Sequence, residues 1–190
     1  MPKKGIFCLE GFWEDDLRKK STVQPILELL KFDGIPYIYL DCATFEEFEF
    51  YLTKWTQKKY QKYPILYLAF HGKKGKILIS KKGYELKDIG EFLADKCNDS
   101  VVIFGSCSVL NISRRHVKDF LKKTGSLAVG GYAKDVDWIV PTAFELLVLS
   151  TLQENVFTRR GIERINTKIK RLSKSKPFKD LNFRFFPSRV

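Results

Sequence analysis

Two residues combine a type and a position suited to covalent chemistry. His71 ends the apolar run ILYLAF and is followed by Gly72, while Cys107 follows VVIFG in the stretch Gly-Ser-Cys-Ser. A thiol within reach of an imidazole is a nucleophile with its acid–base partner: the ring takes the thiol proton, the thiolate attacks a carbonyl, and the imidazolium protonates the leaving group. A glycine beside the histidine permits close approach of backbone to substrate. The other histidine, His116, falls in SRRHVKDFLKK and reads as a solvent-facing polar residue of a helix. Cys8 and Cys42 read as core thiols, and Cys97, before Asn98 and Asp99, as partly exposed and reactive. With no CxxC spacing and two histidines, no metal site is expected. No cofactor is expected either, because GKKGK at 72–76 lacks the GxxxxGK[ST] spacing of a phosphate loop.

What must position the pair is an open sheet. KGIFCLE (4–10), PYIYLD (36–41), ILYLAF (65–70), SVVIFG (100–105) and SLAVGG (126–131) are short continuous apolar runs, the pattern of strands buried on both faces. TVQPILELLKF, TFEEFEFYLTKWTQKKY, LKDIGEFLADK and SRRHVKDFLKKTG lie between them with helical spacing, the last stopped by Gly125. The alternation predicts right-handed crossovers and an α/β three-layer sandwich: a mostly parallel central sheet of about five to six strands with helices on both faces. A small hairpin is expected after the third strand, where GKKGKILISKKGYEL interrupts the alternation. In such a sheet functional groups collect at the carboxyl ends of the strands. His71 and Cys107 end the third and fourth strands, and neighbouring strands lie ~4.8 Å apart.

Composition narrows the classes further. The 190 residues suit one domain over 1–190. No apolar run nears the ~20 residues of a membrane span, and the short apolar block before Glu10 reads as a strand, so a cytoplasmic protein is expected. Residues 154–190 hold 11 basic and 3 acidic side chains, leaving 23 and 19 in residues 1–153. Most of the +12 net charge thus belongs to a basic helical C-terminal extension, with Ile162, Ile165, Ile169 and Leu172 on one face of its helix. Phe178, Phe183, Phe185 and Phe186 of the tail are expected to pack back onto the domain.

ILYLAFHG, a hairpin, a short helix and VVIFGSCS together resemble the caspase-like cysteine peptidase superfamily, in which one strand ends in His-Gly and another in a small residue and Cys. Within it the sequence is most similar to the CHAT-type branch, with GGYAKDVDWIVPTAF as its later Gly-Tyr and Asp segment; the likeness covers about residues 64–150. Gly-Ser-Cys stands where that branch more often has Ser-Ala-Cys, and the Gln-Ala-Cys-x-Gly of caspases proper is absent. The resemblance implies His71 and Cys107 as catalytic dyad and the backbone amides of Gly72 and Cys107 as oxyanion hole.

Carboxylates gather at the same edge: Glu10 follows the first strand, Asp41 the second, and Asp135 and Asp137 the fifth. With Ser106 they form the expected substrate-binding set, Asp137 and Asp41 foremost, for a basic side chain before the scissile bond. Trp13 and Trp138 lie in loops at that edge and are expected to be structural aromatics. The expected partners are a protein or peptide substrate and a regulatory protein, with no membrane. The competing reading is a catalytically silent module whose basic tail, KPFKDLNFRFFPSR, contacts nucleic acid or an acidic partner.

Overall fold

A computed structural model describes residues 2–16 and 18–188. Nine strands and six α-helices alternate along the described chain: β1 (Ile6–Gly11), α1 (Gln24–Phe32), β2 (Tyr37–Cys42), α2 (Phe45–Trp55), β3 (Ile65–Ala69), β4 (His71–Lys73), β5 (Lys76–Ile79), β6 (Lys82–Glu85), α3 (Leu86–Phe92), β7 (Val101–Phe104), α4 (Arg114–Thr124), β8 (Ala128–Tyr132), α5 (Ile139–Thr151), α6 (Arg159–Ser173) and β9 (Phe183–Pro187). The main sheet has the order β2-β1-β3-β7-β8-β9, parallel except for β9.

The continuous apolar runs have a simple cause. Ile6 and Cys8, Ile65 and Tyr67, and Val101 and Ile103 face one core, shared with α1, α5 and α6. Their neighbours Phe7 and Leu9, Leu66 and Leu68, and Val102 and Phe104 face a second core, shared with α2, α3 and α4. Side chains alternate between the faces of a strand, so a strand covered on both must be apolar throughout. The three-layer α/β sandwich expected from the sequence is the observed fold.

Local chemistry sets the helix ends. Thr44 and Glu47 form a reciprocal capping box at the start of α2, Ser113 and Thr158 cap α4 and α6, and Gly125 ends α4 at φ 75°. The hairpin expected after the third strand is present and is one strand wider, an antiparallel β4-β5-β6 meander that includes His71. The turn into β6 uses Ser80 and Lys81, both at positive φ.

The largest departure from the sequence expectation is at the C-terminus. The basic extension does supply a helix, α6, with Ile162, Ile165 and Ile169 buried, but the aromatic tail is a strand, β9, and not a helix. Phe183 and Phe185 alternate with Arg184, and β9 completes the sheet beside β8. Gly130 makes room for them: a Cβ there would stand 3.1 Å from each ring. Phe183 also packs edge-on against Tyr132 and Phe144. Among the described residues no helix is long and apolar enough to cross a membrane.

Candidate functional site

The ends of β3 and β7 meet at the carboxyl edge of the sheet. Leu68 pairs with Phe104, and the Gly105 amide donates to the Leu68 carbonyl at 2.9 Å. One residue further the ladder continues through a side chain: Ser106 Oγ accepts from the Phe70 amide at 3.2 Å and donates to the Leu68 carbonyl at 3.4 Å. Ser106 is buried, with both hydrogen-bonding functions engaged by backbone, and so holds the edge together. Beyond it Gly72 lies against Cys107. A Cβ at Gly72 would stand 2.2 Å from the Cys107 carbonyl oxygen, a distance no real side chain tolerates, and 3.0 Å from its amide nitrogen.

His71 is exposed above this junction, and its Nε2 is 2.8 Å from the Trp13 carbonyl. A carbonyl only accepts, so Nε2 carries the proton and Nδ1 is the nitrogen free to take one. The Trp13 ring packs edge-on against the imidazole and against Trp138, with centroids 5.1 and 4.9 Å away. Both tryptophans are therefore half-buried walls beside His71.

Cys107 is half-buried. Its Sγ lies 3.5 Å from both the amide and the carbonyl of Val136, in the loop after β8. Burial raises the thiol pKa above its ordinary value, and the Val136 amide offsets part of the rise. Among the described residues the hydrogen-bond partners of His71 and Cys107 are backbone groups, and neither partners the other. The thiol is thus held by the backbone of Val136 and the imidazole by that of Trp13, in a defined tautomer. The chain turns sharply behind it: Ser108 has φ 56°, a left-handed conformation that costs a side-chain-bearing residue on the order of 1 kcal/mol. Two bonds hold that turn, Ser108 Oγ to Asp135 at 2.7 Å and the Ser108 amide to the Lys134 carbonyl at 3.0 Å.

The four carboxylates of the edge have unlike surroundings. Glu10 is 1% exposed and accepts from the Trp13 indole, the Thr22 hydroxyl, the Val23 amide and the Tyr39 hydroxyl. Its oxygens are occupied inside the protein, and it fixes the loop that bears Trp13. Asp41 is exposed and shares the Tyr39 hydroxyl, at 2.7 Å, with Glu10. Asp135 is exposed but engaged by Ser108. Asp137 is exposed, and no hydrogen bond or ion pair to it is found among the described residues. A cavity of about 150 Å³ beside these ends is lined by Trp13, Lys19, Lys20, Ser21 and Asp41, among others.

The remaining expectations divide. His116 is exposed on α4, bonded to Ser113, and Cys8 and Cys42 are buried. Cys97, expected to be partly exposed, is wholly buried instead: it belongs to the core shared with α2, α3 and α4, its amide bonds the Thr124 carbonyl, and burial pushes its thiol up to about 12. Missed by the sequence reading was Glu145, 5% exposed in α5 and touching Gly105, Tyr67 and Tyr132. A glutamate inside the apolar run AFELLVL is the signal that could have found it.

Comparison with known proteins places this geometry in a wider setting. The sequence matches, over residues 3–186, the family described as "Family of unknown function (DUF6642)". No curated protein matches it. The fold is similar to that in the crystal structure of caspase-1 from Spodoptera frugiperda, with a TM-score of 0.61 and 14% identity over 97% of this chain and 88% of that one. The architecture is therefore caspase-like.

Proposed function

This chain belongs to the DUF6642 family, and from that starting point we propose that it is a cysteine peptidase of the CHAT type, built on the caspase-like fold, with His71 and Cys107 as its dyad. The observation that carries the reading is the abutment of Gly72 and Cys107 at the carboxyl edge of a parallel sheet. It sets two backbone segments, one led by an imidazole and one bearing a thiol, around a single point.

Substrate binding draws the S–H away from the Val136 carbonyl. His71 Nδ1 takes the thiol proton while Nε2–H stays on the Trp13 carbonyl. The thiolate adds to the scissile carbonyl, and the amides of Gly72 and Cys107 receive the oxyanion. Collapse expels the amine, protonated by His71, and leaves an acyl-enzyme. Water, deprotonated by the same ring, then releases the acid and regenerates the thiol. A basic side chain before the scissile bond suits the exposed carboxylates, and Asp137, with no internal partner described, is the first to meet it. The competing silent module draws on the exposed basic face of α6, including Arg160, Arg164 and Arg171. The buried positions of Phe183 and Phe185 count against base stacking by the tail.

The test is covalent capture. Peptidyl acyloxymethyl ketones bearing Arg or Asp before the reactive carbon are offered to the full chain, and the modified residue is mapped. Labelling at Cys107 by the Arg probe, abolished in His71→Ala, is expected. Equal labelling by both probes would remove the basic preference, and labelling indifferent to His71 would remove the dyad.

A further inference from the structure

Glu145 is a carboxylic acid inside an otherwise apolar layer, in the middle of α5. Tyr67 of β3 donates its hydroxyl hydrogen bond to Glu145 Oε2. The Tyr132 hydroxyl of β8 reaches it as well and donates to the Pro141 carbonyl of α5 at 3.2 Å. Above both is the end of β7: a Cβ at Gly105 would stand 3.0 Å from Glu145 Oε2 and 3.0 Å from the Tyr67 hydroxyl. The strands joined in this way lead into His71, into Cys107 and into the Asp135–Asp137 loop that contains Val136.

We propose that Glu145 is a positioning residue for Cys107, a buried carboxyl that ties the middle of β3 and the end of β8 to α5 beneath Gly105 and biases the thiol through its own charge. The proposal rests on the reading of Cys107 as nucleophile and adds a control to it. Burial pushes the Glu145 carboxyl up to about 7, against the pull of the two tyrosine hydroxyls. The other titratable groups that act on it or respond to it are Cys8 and Glu10 from β1, Tyr67 from β3, Cys107 after β7 and Tyr132 from β8. None of these is a cation, so nothing in that set neutralises the carboxylate once it forms. Burial and the exposed Asp135 carboxylate raise the Cys107 thiol in either state, and ionised Glu145 raises it further. Protonation beneath the strand thus favours the reactive sulfur above it.

The experiment is the rate of Cys107 alkylation by iodoacetamide, followed by peptide mass over about pH 5.5 to 9.5, in the full-length wild type, Glu145→Gln and His71→Ala. Gln keeps the shape and an acceptor for Tyr67 without the charge. The expected result is a wild-type log rate that rises with less than unit slope around pH 7, where Glu145 ionises, and in Glu145→Gln a single titration with its midpoint about half a pH unit lower or more. An unchanged midpoint in a folded Glu145→Gln, or a wild-type slope that stays at one through pH 7 should that variant not fold, overturns the proposal. Alkylation needs no turnover. Failure of the peptidase reading would show separately, as absent peptide cleavage and indifference of Cys107 to His71→Ala.

Discussion

Gly72 and Cys107 touch through their backbones, and a single methyl group at residue 72 has nowhere to go. A Cβ there would press on the Cys107 carbonyl, the Cys107 amide and the Val109 side chain together. Gly72→Ala is therefore expected to displace the two amides from their shared point. Removing one oxyanion donor commonly costs about 10²–10³ in rate, and a loss of that order in capture of a peptidyl electrophile by Cys107 is the expected outcome. Urea denaturation separates this from unfolding: a variant that folds and still captures the probe at the wild-type rate contradicts the site.

His71 is exposed, and among the described residues its side chain hydrogen-bonds the Trp13 carbonyl alone, so its removal leaves the cores untouched. His71→Ala should keep the wild-type unfolding midpoint while peptide hydrolysis falls by about 10²-fold or more, the usual worth of general acid–base catalysis. Hydrolysis that survives in the alanine variant would mean that Cys107 has another base.

Asp135 and Asp137, two positions apart, should behave oppositely. Asp135→Ala releases the Ser108 hydroxyl and with it a left-handed turn, and is expected to cost about 1 kcal/mol in unfolding free energy. Asp137→Ala has no described internal bond to lose. It should leave stability unchanged and lower kcat/KM for Arg-directed peptides by about tenfold or more, with little effect on substrates lacking the basic side chain.

Stability should fall as pH rises through the neutral range. The folded Glu145 carboxyl sits at about 7 against an ordinary value of 4.5, so between these the folded chain holds a proton that the unfolded chain has released. Stability is fully present below the lower value and is lost progressively up to the upper one. The shift corresponds to roughly 3 kcal/mol. Chemical denaturation of wild type and Glu145→Gln at pH 5 and pH 8 should show the variant gaining relative to the wild type at the higher pH, and a constant difference would contradict it.

Four of the five parallel strands, β1, β3, β7 and β8, were legible because each is buried on both faces, which writes an unbroken apolar run into the sequence, whereas the edge strand β2 is half-buried. Their carboxyl ends were legible for the same reason, and with them the edge that bears His71 and Cys107. β9 was not, since FRFFP hides its alternation under basic and aromatic content, and its burial depends on the space above Gly130. The carboxylates could be placed at the edge but not sorted. What separates Glu10 from Asp137 is donors supplied by Trp13, Thr22, Val23 and Tyr39, which converge only in three dimensions. Cys97 was misjudged because a position near a helix end does not reveal that the chain there enters the core shared with α2, α3 and α4.

The saturated carboxylate of Glu10 has a thermodynamic consequence for whatever enters the crevice. Four donors from β1's own loop, the start of α1 and β2 immobilise the segment whose carbonyl orients the His71 ring. The conformational entropy of ordering that segment is lost when the chain folds and not when a ligand arrives. An incoming peptide meets a wall and an imidazole already in place, and more of its binding energy remains for aligning its own carbonyl.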